Sequence, residues 1–284
     1  MTGQISVATE HIDSTRGARL ALHHFGGSGP TLMICHATGF HAKCYLPMMP
    51  TLTQHFDVWG VDFAGHGGSS TPDNDDFAWT GFAEDALTAI DHIGADTVRA
   101  FGHSMGATAT LLAEQARPGV ISAAWLYEPI VFPRDIESQG PPRNSIMAAA
   151  ASKRRREFDS RAHALHRYAG RPPLGLMRAD ALAAYVEYGF RDTADGTVTL
   201  ACSPESEAAT FNNANTGVRH LEELTLRATL ACGLVAENPS PASFTPPLAD
   251  ALVNGELRSY DGLGHFGPLQ DPDRIAADVT EFLT

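Results

Sequence analysis

Ser104 stands in FGHSMGA, residues 101 to 107, with Gly102 and Gly106 each two positions away. A serine hydroxyl is a weak nucleophile until a base takes its proton, and a third group must hold that base in the right tautomer. The late segment DGLGHFGP places His265 in a Gly-rich stretch between the predicted last strand and the predicted last helix. A loop there can carry an imidazole to the C-terminal edge of a sheet, where a strand-to-helix turn at Ser104 also ends. Gly-x-Ser-x-Gly alone says little in a chain with 26 glycines, because a tight turn has the same composition. The flanking elements must decide.

Those elements read as strand, turn, helix. TVRAFG (97–102) has the apolar density of a buried strand, and ATATLLAEQA (107–116) reads as a helix that RPG stops. Upstream, ISVATEHI (5–12) and ARLALHHF (18–25) alternate like strands joined by the DSTRG turn, while TLMIC (31–35) and FDVWGVD (56–62) suit strands covered on both faces. From Phe77 to Ile93 the period changes: Trp79, Phe82, Ala86 and Ile90 put one apolar stripe on a helix. VISAAWLYEP (120–129), RATLACG (227–233) and LRSYDG (257–262) supply further strands. DPDRIAADVTEFL (271–283) is a helix with Asp271 as cap, Pro272 at its first position and Ile275, Val279 and Phe282 along one face. Strands alternating with amphipathic helices predict an α/β fold with a mostly parallel sheet.

Between Ile130 and about Thr225 the rhythm breaks. RNSIMAAAASKRRREF and DALAAYVEYGF read as helices, TVTLAC (197–202) as a short strand, and Ser203-Pro204 as a helix start. That many residues exceed a simple loop, so a largely helical insertion is expected. The Arg154, Arg155, Arg156 run reads as a solvated helix face rather than an anion contact. Tyr168, Tyr185, Tyr188 and Phe190 fit pocket walls and internal packing of the insertion equally well.

CHATGF (35–40), DFAGHGGSS (62–70), GHSMG (102–106) and GLGHFGP (262–268) together resemble the alpha/beta-hydrolase superfamily, in particular its cap-bearing serine esterase and lactonase-like members. The resemblance covers the core on both sides of the insertion. It implies a mostly parallel eight-stranded sheet formed by residues 1–129 and 226–284, with residues 130–225 as a mainly helical cap over the active site. It also implies a Ser-acid-His triad with Ser104 and His265. The implied oxyanion hole takes one backbone N–H from Met105 and one from the loop after TLMIC, near Thr38. His36 is followed here by Ala37, with Gly39 farther on, so Ala37 and Gly39 remain alternatives to Thr38. Two places in the family pattern offer the acid. Glu128 in WLYEPI lies at the end of the strand after the nucleophile-bearing strand and helix, whereas Glu237 in CGLVAENPSP follows the penultimate strand and requires a loop adjustment. Glu128 is the simpler placement, with Glu237 as its alternative.

The implied activity is hydrolysis of a medium-sized apolar carboxylic ester or lactone through an acyl-enzyme. The same triad also serves carbon-carbon bond hydrolysis or acyl transfer, and a non-catalytic ligand-binding protein on the same fold is the remaining reading. His36, His66 and His103 accompany the motifs as structural hydrogen-bonding groups. His23, His24 and His41 show no metal-ligand spacing with a paired carboxylate, so no metal is expected. VDFAGHGGSS lacks the ending of a phosphate-binding loop, so no cofactor is expected. Twenty Lys and Arg against 33 Asp and Glu give a formal charge of −13, which argues against a nucleic-acid or anionic-membrane partner. Cys35, Cys44, Cys202 and Cys232 form no paired motif and suit free thiols in a reducing, cytoplasmic setting. No secretory leader or membrane-spanning run is visible. Monomer and homodimer both stay open.

Overall fold

The computed structural model describes residues 6–132, 145–214, 218–235 and 241–284. Its main sheet has eight strands: β1 (Ala8–Asp13), β2 (Arg19–Gly26), β3 (Thr31–Cys35), β4 (Asp57–Val61), β5 (Val98–His103), β6 (Ile121–Tyr127), β10 (Arg227–Gly233) and β11 (Gly255–Tyr260). Their spatial order is β1-β2-β4-β3-β5-β6-β10-β11. β1 and β2 pair antiparallel, as do β2 and β4, and the remaining neighbours run parallel.

Helices cover both faces, which is why the central strands read as unbroken apolar runs. In β3, Met33 and Cys35 join one buried cluster while Leu32 and Ile34 join the other, as a period of two requires. The first cluster takes the apolar stripes of α1 (Trp79–Ile93) and α2 (Met105–Ala116), including Phe82, Ile90, Leu111 and Leu112. The second is closed by α8 (Pro272–Leu283) through Ile275, Val279 and Leu283. Asp271 caps that helix by accepting from the Arg274 N–H, while Phe282 is only partly buried. A short helix, α7 (Thr245–Ala251), lies between β10 and β11 in the chain.

The cap contains α3 (Ile146–Ala151), α4 (Arg161–Ala169), α5 (Ala179–Tyr188) and α6 (Pro204–Asn212). It also holds an antiparallel sheet, ordered β7-β9-β8, from β7 (Glu157–Phe158), β8 (Phe190–Asp192) and β9 (Val198–Leu200), of which only β9 was expected. Strands of two or three residues are too short for a periodic signal. The helix expected to run through SKRRREF stops at Ala151, because the Arg156 carbonyl accepts from the Leu200 N–H and draws that segment into the small sheet. Phe158, Tyr168 and Phe190 pack together and Tyr168 meets Tyr185, in edge-on and tilted ring contacts 5.5–6.4 Å apart, and Tyr185 also meets Phe40 of the core at 5.1 Å. Tyr188 is exposed, with the Lys43 ammonium over its ring.

Candidate active site

β5 delivers Ser104 to the C-terminal edge of the sheet and α2 leads away from it. Between them Ser104 adopts φ 54°, ψ −117°, a region costly for a residue with a Cβ, and its N–H donates to the Tyr127 carbonyl at 2.8 Å. Two glycines make so sharp a turn possible. A Cβ on Gly102 would lie 2.5 Å from the Ala107 Cα, and one on Gly106 would lie 2.2 Å from the Cys35 carbonyl oxygen. The Gly-x-Ser-x-Gly spacing is thus a packing requirement: strand and helix approach too closely there for any side chain.

His265 descends from the loop between β11 and α8 and places Nε2 3.2 Å from Ser104 Oγ. Its Nδ1 lies 2.6 Å from Glu128 Oε2. Glu128 occupies the first position after β6, the strand next to β5, with φ 46°. Its other oxygen, Oε1, accepts from the Gly233 N–H at the end of β10 at 2.9 Å, and its own N–H donates to the Ala231 carbonyl. The carboxylate side chain is 1% exposed and the imidazole 19%. A carboxylate at Nδ1 holds the proton on that nitrogen, leaving the Nε2 lone pair facing the serine hydroxyl. Glu237 lies outside the described residues.

The loop after β3 runs beside this pair. The Ala37 N–H reaches Tyr45 Oη at 3.4 Å, whereas the Thr38 and Met105 N–H groups donate to no protein group among the described residues. Met105 begins α2, where a first-turn N–H has no partner within its own helix. Thr38 Oγ1 is buried and likewise unpartnered among the described residues. Gly39 has φ 77°, and a Cβ there would lie 2.8 Å from Glu207 Oε1 on α6, so the cap presses directly on this loop. The same Glu207 pairs with Arg154, which also donates to the Tyr185 hydroxyl at 2.6 Å. Arg154 therefore lies inward, against a carboxylate and a phenol, and not on a solvated helix face. Its inward turn follows from partners 31 and 53 residues away, which local sequence cannot display.

Asp62 braces the loop from below, accepting from the Ala42 and Gly68 N–H groups at 2.8 Å and from His23 Nε2 at 3.0 Å. Burial alone would raise its pKa, but His23 beside it holds the carboxyl well below the usual range. Burial pushes His36 down to about 3 and His41 and His66 down to about 4, so all three are neutral at pH 7. His36 uses Nδ1–H on the Ala37 carbonyl and accepts the Phe63 N–H at Nε2, which occupies both nitrogens. Sequence reading left Tyr45, Tyr127, Arg154 and Glu207 without a role in the site; only Tyr127 carried a local signal, its adjacency to Glu128. Among the described residues no three or more His, Cys, Asp or Glu side chains gather as a metal-binding set, and no helix is long and apolar enough to cross a membrane.

Known proteins share this arrangement of chain. Residues 32–278 match the Alpha/beta hydrolase family. The 2-(acetamidomethylene)succinate hydrolase of Mesorhizobium japonicum is 26% identical over 201 residues, 69% of each chain. The (E)-2-((N-methylformamido)methylene)succinate hydrolase of Acinetobacter baylyi is 30% identical over 100 residues, which span 35% of this chain and 38% of that relative. The crystal structure of an E-2-(acetamidomethylene)succinate hydrolase superposes with a TM-score of 0.81 at 20% identity, covering 98% of this chain and 99% of the other. With the family match spanning most of the sequence and the cap seated on the sheet, the chain belongs to the alpha/beta hydrolase family.

Proposed function

We propose that this protein is a serine hydrolase that cleaves a small N-acyl enamine, an amide whose nitrogen is attached to a carbon-carbon double bond, through an acyl-enzyme. The observation that carries the reading is the hydrogen-bonded line Ser104 Oγ, His265 Nε2, His265 Nδ1, Glu128 Oε2. Ser104 attacks the acyl carbonyl as its proton passes to His265, and Glu128 stabilises the resulting imidazolium. The Thr38 and Met105 N–H groups receive the charge that develops on the carbonyl oxygen. His265 then returns the proton to the departing nitrogen, and water, deprotonated by the same imidazole, releases the acyl group. Residues 130–225 act as the cap that excludes bulk water, on a core of residues 1–129 and 226–284.

Two relatives named as hydrolases of amidomethylene succinates support the amide substrate over the apolar ester or lactone expected from sequence. Delocalisation of the nitrogen lone pair into the adjacent double bond makes such an amide easier to cleave than an ordinary one. The test is turnover of (acetamidomethylene)succinate, an activated short-chain ester, a lactone and a vinylogous diketone by the parent and by Ser104→Ala. The acylated enamine is expected to give the highest kcat/KM, lost in the variant. Preference for the ester or lactone restores the earlier expectation, preference for the diketone assigns carbon-carbon hydrolysis, and no turnover by either form refutes the reading.

A further inference from the structure

The histidine loop is fastened by the residues that immediately precede the other two members of the triad. His103, before Ser104, donates from Nε2 to the carbonyl of His265 itself at 2.8 Å. Tyr127, before Glu128, donates from Oη to the carbonyl of Gly264 at 2.8 Å. Two consecutive peptide carbonyls of one loop are thus held from two neighbouring strand ends. His103 and Tyr127 are paired across the register of β5 and β6, which puts both anchors at one level of the sheet. The anchoring continues outward, because His103 Nδ1 lies 2.8 Å from Tyr45 Oη, and Tyr45 Oη in turn meets the N–H of Ala37 in the oxyanion loop.

The direction of each bond follows from its partner. A carbonyl only accepts, so His103 carries its proton on Nε2, and its bare Nδ1 accepts the Tyr45 hydroxyl. The chain Ala37 N–H, Tyr45 O–H, His103 N–H, His265 carbonyl is satisfied at every link with a neutral imidazole. Burial, followed by the neighbouring His265, pushes the His103 pKa well below its ordinary value, in keeping with a neutral ring. Tyr45, His103 and Tyr127 are all fully buried, so water offers no substitute partner. Gly267 preserves the second anchor, since a Cβ there would lie 2.1 Å from Tyr127 Oη.

We propose that His103 and Tyr127 are positioning residues that set the place of the His265 imidazole between Ser104 and Glu128, and that Tyr45 ties the same anchor to the oxyanion loop. The inference rests on the triad reading above but not on the substrate. Loss of an anchor leaves the three reacting groups in place chemically and loosens the geometry, and a displacement of the order of 1 Å costs about a hundredfold in rate.

The experiment measures the rate at which a fluorophosphonate labels Ser104, alongside kcat and KM on the best substrate found. Labelling of the parent and its loss in His265→Ala establish the triad separately; absence of either refutes the triad and the positioning inference with it. Tyr127→Phe and Tyr45→Phe each delete one oxygen and keep the ring. Tyr127→Phe is expected to lower the labelling rate and kcat together by about tenfold or more, with KM within about twofold. Tyr45→Phe acts in the same direction more weakly. His103→Gln, which retains a donor, is expected to keep more activity than His103→Leu at equal melting temperature. Parental labelling rates in both Tyr→Phe variants overturn the proposal, as does a rise in KM at unchanged kcat. If the His103 variants do not fold, the two tyrosine variants decide.

Discussion

Glu128 Oε2 lies 2.6 Å from Nδ1 of His265, and the same carboxylate accepts the Gly233 N–H through its second oxygen. Removing its charge while keeping its size leaves the imidazolium uncompensated and favours the wrong tautomer. Glu128→Gln is expected to lower kcat by about 10³ to 10⁴, with the fold retained by circular dichroism. With the acid role at Glu128, Glu237→Gln is expected to keep kcat within about twofold of the parent. The reverse ranking transfers the acid role to Glu237.

Ser104→Ala removes the proposed nucleophile without touching the bonds of the elbow backbone. Burst and steady-state turnover are expected to fall by about 10⁴ or more, while melting temperature stays level or rises. Retention of a covalent acyl adduct on intact-protein mass spectrometry would place the nucleophile elsewhere.

Gly39→Ala meets two obstacles, a φ of 77° and the Glu207 carboxylate oxygen 2.8 Å from the new methyl group. The left-handed backbone alone costs about 1–2 kcal/mol. Because Thr38 precedes this position, the expected signature is a kcat loss of about tenfold or more accompanied by that loss of stability. Denaturant unfolding and steady-state kinetics read the two effects independently, and an unchanged kcat would remove the loop from the oxyanion hole.

Arg154→Met leaves Glu207, whose side chain is 10% exposed, without its cation. Removing one partner of a buried ion pair costs about 3–5 kcal/mol, and the 21% exposure of Arg154 places this pair nearer 2 kcal/mol. Urea denaturation is expected to show that loss, and Arg154→Met with Glu207→Gln to recover part of it. A single variant as stable as the parent contradicts the coupling.

Stability is expected to fall on acidification below neutral pH. His36, His41 and His66 have folded pKa values of about 3, 4 and 4, below the ordinary 6.5, so between these limits the unfolded chain binds protons that the folded chain refuses. Each contributes stability fully present above pH 6.5 and lost at about 1.4 kcal/mol per pH unit on the way down to its folded value. Asp62, depressed in the folded state, adds a further loss once the pH falls below its ordinary 3.8. Unfolding midpoints in urea from pH 7.5 to 5 test the histidine part; a flat profile means that these imidazoles accept protons in place.

Much of the core was legible because its signals are local. TLMIC and RATLACG are dense apolar runs and became β3 and β10 with the same bounds, while the 3.6-residue stripe from Trp79 fixed α1 to within two residues. The cap was legible as an insertion but not in its parts. Three strands of two or three residues carry no period, and a sequence that favours helix up to Phe158 yields to a short backbone ladder in which Arg156, Glu157 and Phe158 lie along β9.

The Ser104 elbow was readable from local signals, two glycines flanking a serine between an apolar strand and a helix, although the steric need for Gly106 comes from the Cys35 carbonyl of β3. The sequence by itself also determined that His265 rides a loop between the last strand and the last helix. Tertiary structure alone decided which carboxylate stands beside that histidine, because β6 neighbours both β5 and β10, an order that no stretch of chain encodes locally. It alone turned Arg154 inward, through Glu207 and Tyr185. And it alone joined His103 and Tyr127 to the carbonyls of His265 and Gly264, across 162 and 137 residues, because a hydrogen bond depends on where two atoms meet in space and not on how far apart they lie in sequence.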